Sequence, residues 1–176
     1  MKPKLAKAYM DTAKIFAELS HARRLHVGAI VVKDDRIISI GYNGMPAGWD
    51  NNCEDKDYMN LEAGGWLNPD EIEERWPFTE ECKGEEESSE YTYTRRFRLK
   101  TKPEVLHAET NAIAKLARSN ESGLDSDLFV THAPCLDCAK LIYQSGIRRV
   151  WFGTAYRDDS GVHFLEKSGI EVTKID

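Results

Sequence analysis

Leu106-His107-Ala108-Glu109-Thr110-Asn111-Ala112, answered further on by Pro134-Cys135-Leu136-Asp137-Cys138, is the part of the chain around which the rest is arranged. Each motif stands at the start of a helical apolar pattern, residues 108–118 (AETNAIAKLAR) and residues 135–143 (CLDCAKLIY). Residues 126–131 (SDLFVT) read as a buried strand that delivers the chain to the second motif, and Gly146 closes the second helix from a C-cap position. Outward from there, residues 149–153 (RVWFG) form a strand, 156–160 a loop, 162–168 a short helix and 170–174 a last strand. Upstream, residues 5–19 place Leu5, Ala8, Tyr9, Thr12, Ile15, Phe16 and Leu19 on one helical face, and residues 20–25 read as a polar loop. Residues 26–40 hold two β-rich runs joined at Asp34-Asp35, the signature of a hairpin. Helices alternating with strands after an opening hairpin predict a three-layer α/β/α sandwich with a central mixed sheet. In such sheets the site gathers where loops leave the carboxyl ends of strands, which is where both motifs fall.

The motifs also specify a chemistry. His107, Cys135 and Cys138 supply three soft or borderline donors, the number a catalytic zinc takes while its fourth position stays open to water. Zinc lowers the pKa of bound water from 15.7 to about 7. Glu109, two residues from the histidine, is placed to move that water's proton and not to be a fourth ligand. Helix N-termini favour thiolate over thiol at both cysteines. A lone C-x-x-C also suits a redox pair or half of a structural zinc knuckle. No second C-x-x-C exists, however, and either alternative leaves the His-x-Glu without a purpose.

The 176 residues (20.0 kDa) suit one domain, 1–176, with a long polar insertion at about 49–102 that fits the mean hydropathy of −0.55. A net charge of −6 argues against a polynucleotide footprint, which shows as a basic face. Four cysteines, two of them in the metal motif, leave no disulfide framework and point to a reducing compartment. No signal peptide is visible, and no apolar run approaches the ~20 residues of a membrane helix. The expectation is a soluble cytoplasmic protein.

The insertion is rich in acidic residues and Asn and holds three of the four tryptophans. Residues 69–76 (PDEIEERW) predict a short helix with Pro in its first turn, residues 85–90 a solvated acidic stretch, and residues 91–99 a strand. The basic cluster at Arg95, Arg96 and Arg98 reads either as a charged exposed strand or as a phosphate contact. Residues 41–48 (GYNGMPAG) are a loop by every local signal. Asn43 there is either a turn residue or an amide for a sugar hydroxyl. Cys53 and Cys82 remain outside the metal motif. With His21 and His26 they are candidates for a second, structural zinc, the alternative being two buried small apolar residues.

His107-x-Glu109 with Pro134-Cys135-x-x-Cys138 resembles the cytidine-deaminase superfamily. Val27-Gly28-Ala29, the Gly41 to Gly48 loop, His107-Ala108-Glu109-x-Asn111-Ala112-Ile113 and Gln144-Ser145-Gly146-Ile147 narrow the resemblance to deoxycytidylate deaminases of phage type. The resemblance implies hydrolysis of dCMP to dUMP and ammonia, feeding dTMP synthesis. Glu109 would be the proton shuttle, Asn43 would hold the deoxyribose, Thr131 and Ala133 would lie at the strand end that receives the amino group, and Tyr156 would be near the nucleotide. The family usually has Ser where Ala133 stands, so a backbone contact survives here and a hydroxyl contact does not. The resemblance further implies a homohexamer activated by dCTP with Mg²⁺ and inhibited by dTTP. Gly44 to Gly48 would form the effector loop, and Arg118 would sit on a helix near subunit contacts. Cytidine, tRNA-adenosine and riboflavin-pathway deaminases share the zinc motif. A rival of another class is a zinc-stabilised binding module without turnover, for which Glu109 would have no use.

Overall fold

Asp34 and Asp35 both adopt positive φ (50° and 57°), the left-handed pair that a tight hairpin turn requires. They join β1 (Gly28–Lys33) to β2 (Arg36–Tyr42) in antiparallel register, Gly28 opposite Tyr42 and Ile30 opposite Ile40. The structure is a computed structural model that describes residues 1–60, 67–86, 89–156 and 158–175. The chain divides into two compact units, Met1–Cys53 with Glu104–Asp176, and Glu54–Pro103.

In the first unit a five-stranded mixed sheet runs β2-β1-β6-β7-β8, where β6 is Asp127–His132, β7 Arg149–Thr154 and β8 Glu171–Lys174. β1 pairs antiparallel with both β2 and β6, whereas β6, β7 and β8 are mutually parallel. Strands buried on both faces read as continuous apolar runs, and the alternation separates their two cores. Ala29, Val31, Leu128 and Val130 face a core shared with the helices Ala108–Leu116, Leu136–Gln144 and Ser160–Lys167. Ile30, Val32 and Phe129 face the other core, under the helix α1 (Pro3–Ala17). This is the expected α/β/α arrangement.

The buried stripe of α1 differs from the expected one. Ala6, Tyr9, Met10, Ala13 and Ala17 are buried, while Ile15 and Leu19 are exposed (62% and 51%). The physical reason is proximity. A Cβ added at Gly28 would lie 2.1 Å from the Ala13 carbonyl oxygen and 2.6 Å from the Ala17 nitrogen, so helix backbone rests on strand backbone and the seam admits alanines.

The second unit is a three-stranded antiparallel sheet ordered β3-β5-β4, with β3 Glu54–Tyr58, β4 Phe78–Glu86 and β5 Ser89–Thr101. The predicted short helix is present as α2 (Pro69–Arg75), held by a capping box between Asn68 and Glu71. Within residues 85–90, expected as a solvated stretch, Glu85 and Glu86 end β4 and Ser89 and Glu90 begin β5. Glu85 pairs with Glu90 and Glu86 with Ser89, while Glu87 and Ser88 lie outside the described residues. Cross-strand pairing of Tyr58, Phe97 and Phe78 brings three rings together across the sheet, Tyr58 tilted against Phe97 and Phe78 stacked on it, with centroids 5.8 and 5.5 Å apart. The basic cluster is absorbed within this unit. Arg98 pairs with Asp57 at 2.7 Å, Arg95 lies 3.8 Å over the Tyr58 ring and Arg96 donates to the Trp76 carbonyl.

Candidate active site

Both motifs open helices, as their patterns predict. His107 is the N-cap of α3 (Ala108–Leu116), and Cys135 is the N-cap of α4 (Leu136–Gln144). Neither side chain caps its own helix. They turn toward each other instead. His107 Nδ1 lies 3.6 Å from Cys135 Sγ and 3.3 Å from Cys138 Sγ, and the three ligand atoms all fall within 4.8 Å of one another. Nitrogen and sulfur ligands on a tetrahedral zinc, at about 2.0–2.1 Å and about 2.3 Å from it, stand about 3.5 Å apart. The donor set and its spacing therefore fit zinc. Cys138 is buried, Cys135 half-buried and His107 exposed, so the open side of the cluster faces solvent.

Four contacts fix this arrangement in place. Leu106, just before the histidine, exchanges both backbone hydrogen bonds with Gly44 (3.1 and 2.9 Å). Asn111 donates its side-chain amide to the Tyr42 carbonyl at 3.0 Å, and the Ser39 hydroxyl donates to the Ala112 carbonyl at 2.7 Å. On the other arm β6 runs directly into Pro134-Cys135, and the Ala133 N–H donates to the Thr154 carbonyl at 2.9 Å.

Glu109 is 4% exposed, and burial raises its carboxyl to about 7, against a backbone hydrogen bond and the charge of His107, which pull the other way. A carboxyl poised near neutrality both accepts and returns a proton. Hydrogen bonds from Cys138 and His107 hold the Cys135 thiol down to about 4. The shared hydrogen bond with Cys135, together with burial, pushes Cys138 up.

Asn43 is buried, and its side chain serves the backbone: Oδ1 accepts from the Val27 N–H and Nδ2 donates to the Leu25 carbonyl, both at 2.8 Å. It thus ties the loop before β1 to the end of β2. The Thr131 hydroxyl oxygen accepts from the Gly28 N–H at 3.2 Å and meets His132 Nδ1 at 3.1 Å. Thr131, His132 and His26 share the lining of a cavity of about 600 Å³ at the carboxyl ends of β6 and β7. Ala133 is buried at the same strand end, and Tyr156 follows β7 with 38% exposure. His132 and Asn111 carried no sequence signal of their own, the first preceding a motif and the second hidden inside one.

Among the described residues His107, Cys135 and Cys138 are the one set of three or more ligand-type side chains that converge. Cys53 is buried with Ala22, Val105 and Met45 in the first unit, and Cys82, partly buried, lies in β4 opposite Tyr93 in the second. Arg118 is not on a helix, because α3 ends at Leu116 and Arg118 lies in the turn that follows. In the 41–48 loop Gly44 forms the bridge to Leu106, and Gly48 has φ 88°.

A model of the cytidine and deoxycytidylate deaminase zinc-binding region matches residues 3–154. The chain belongs to this deaminase family. Deoxycytidylate deaminase of Enterobacteria phage T4 is 34% identical over 177 residues, covering 97% of this chain and 89% of the relative. The enzyme of the same name from Mus musculus is 34% identical over 154 residues, 86% of this chain and 66% of the relative. Among solved structures, dCMP deaminase of cyanophage S-TIM5, crystallised in complex with dCMP and dUMP, superposes with a TM-score of 0.71 at 37% identity and covers 99% of both chains. Among the described residues no helix is long and apolar enough to cross a membrane.

Proposed function

We propose that the chain is a zinc-dependent hydrolase that converts dCMP and water to dUMP and ammonia. The observation that carries this reading is the convergence of His107, Cys135 and Cys138 beside a buried Glu109, in a chain 37% identical to a cyanophage enzyme crystallised with dCMP and dUMP. These three donors would hold zinc, which when bound would supply an acidified water at neutral pH. Glu109 takes the proton of that water and gives it to N3 of cytosine, which makes C4 electrophilic. The water oxygen bonds to C4, and Glu109 then takes the proton of the new C4 hydroxyl and passes it to the amino group, so that the C4–N bond breaks as ammonia leaves and the C4 carbonyl forms. General acid–base help of this kind contributes roughly 10²–10⁴-fold.

In the same reading Asn43 keeps one amide proton and one oxygen lone pair for the deoxyribose hydroxyl, since each polar atom makes one backbone bond. Thr131 and Ala133 border the base at the end of β6, and Tyr156 covers it from the loop after β7. Regulation belongs to this proposal too: a homohexamer activated by dCTP with Mg²⁺ and inhibited by dTTP, with Gly44 to Gly48 in the effector loop and Arg118 near a subunit contact. The test is ammonia release from dCMP, compared with cytidine, CMP and dCTP. Preference for dCMP supports the reading, and equal or greater turnover of cytidine overturns it. A rate curve that is sigmoidal in dCMP and turns hyperbolic with dCTP and Mg²⁺ supports the regulatory part. Hyperbolic kinetics from a monomer refutes it.

A further inference from the structure

The helix α5 (Ser160–Lys167) bears no ligand, yet its second residue, Gly161, lies against the backbone that presents Cys135. A Cβ built on Gly161 would stand 2.1 Å from the Pro134 carbonyl oxygen, 2.7 Å from the Cys135 carbonyl carbon and 2.8 Å from its oxygen. All three are backbone atoms, so no side chain can swing aside. The Cys135 carbonyl also accepts the N–H of Ala139 at 2.9 Å, the first bond of α4. A push at this point therefore moves the N-cap, the first turn and the ligand sulfur together. Nor can α5 retreat cheaply. Leu165 is fully buried in the core shared with Ala139 and Ile142, and the Phe164 and Tyr143 rings meet edge to face at 6.2 Å.

The opposite arm is built the same way. A Cβ on Gly41 in β2 would lie 2.1 Å from the Ala108 carbonyl oxygen and 2.6 Å from the Ala112 nitrogen, against the first turns of the helix that presents His107. Each arm of the metal centre thus rests, backbone on backbone, on a glycine, and the 3.6 Å gap between His107 Nδ1 and Cys135 Sγ is set from behind on both sides.

We propose that Gly161 and Gly41 are positioning residues of the metal centre, fixing the separation of its imidazole and thiolate donors through the backbones of the two N-caps. This rests on the zinc reading of the His107–Cys135–Cys138 cluster. Gly28 offers a matched control. Its Cβ would meet α1 backbone at 2.1 and 2.6 Å, an equal clash in a layer that holds no ligand.

The experiment loads the parent and the Gly161→Ala, Gly41→Ala and Gly28→Ala variants with Zn²⁺ or Co²⁺. It measures zinc affinity against a chromophoric chelator, the visible Co²⁺ spectrum and thermal stability. Gly161→Ala and Gly41→Ala are expected to bind zinc roughly 10–100-fold more weakly, the range seen when support behind metal ligands is lost, with shifted Co²⁺ bands. Gly28→Ala should lower Tm by a similar amount and leave affinity and spectrum unchanged. Parental affinity and spectrum in both Gly161→Ala and Gly41→Ala overturn the proposal, as does an equal loss in Gly28→Ala. If Gly161→Ala does not fold, Phe164→Leu keeps the glycine and lets α5 shift on α4. Faster zinc loss than from Gly28→Ala of matched Tm then supports the proposal, and equal loss overturns it. A parent that binds neither metal instead refutes the zinc reading itself.

Discussion

Asn111, on the helix that carries Glu109, donates to the carbonyl of Tyr42, the residue before Asn43. One hydrogen bond thereby couples the helix of the proposed proton shuttle to the strand end beside Asn43. Asn111→Ala strands the Tyr42 carbonyl and loosens α3 on β2. Stability should fall by about 1–2 kcal/mol, read by urea unfolding. Turnover number should fall roughly tenfold or more with the metal retained, since a misplacement of about 1 Å can cost 10²-fold. Unchanged turnover would show that the α3–β2 seam does not position Glu109.

Glu109→Gln removes the acid, the base and the orientation of water together. One zinc per chain and nucleotide binding should survive, because Glu109 is not a ligand, while kcat drops by about 10²–10⁴-fold or more. Metal analysis with isothermal titration of dCMP checks the first half, and ammonia release the second. Near-normal turnover sinks the mechanism.

The same residue should govern the pH dependence of the metal-free protein. Burial raises the Glu109 carboxyl to about 7, above the unfolded-state value of about 4.3. Between those values the folded chain holds a proton that the unfolded chain has released, so stability is fully present below pH ~4.3 and is lost as pH rises through about 7. The whole effect is on the order of 3 kcal/mol. Urea unfolding from pH 4 to 8 should show this decline in the metal-free parent and a flatter line in Glu109→Gln. Parallel lines would refute the assignment.

Cys135, held down to about 4 by Cys138 and His107, should be a thiolate throughout the neutral range once metal is removed. Iodoacetamide should label it at pH 6 faster than an ordinary thiol of pKa about 8.5, with Cys138 slow, and zinc should suppress the labelling. Peptide mapping reads the sites. Preferential labelling of Cys138 would reverse the assignment.

The metal residues were legible because their chemistry dictates both identity and spacing: His107, Glu109, Cys135 and Cys138 allow few other readings. The sheet of the first unit was legible because its central strands β1 and β6 are apolar on both faces. The seam of α1 was not, because an alanine stripe at Ala6, Ala13 and Ala17 looks weaker than the bulkier one beside it. Only the close approach at Gly28 reveals why the small residues win. The 54–103 unit was read as a helix, one strand and an acidic stretch because β3 (EDKDY) and β4 (FTEECKGEE) carry charges where apolar alternation would announce a strand.

The ends of α3 and α4 put the reaction in conflict with the durability of the fold. A helix start is normally closed by Ser, Thr, Asp or Asn, and an apt cap contributes about 0.5–2 kcal/mol. Here those two places are taken by His107 and Cys135, neither of which closes its helix with a capping hydrogen bond of the usual kind. Random variation selected only for resistance to heat in the absence of metal should therefore drift toward Asp or Ser at positions 107 and 135. The lineage would gain a sturdier scaffold and lose its chemistry at the same two steps.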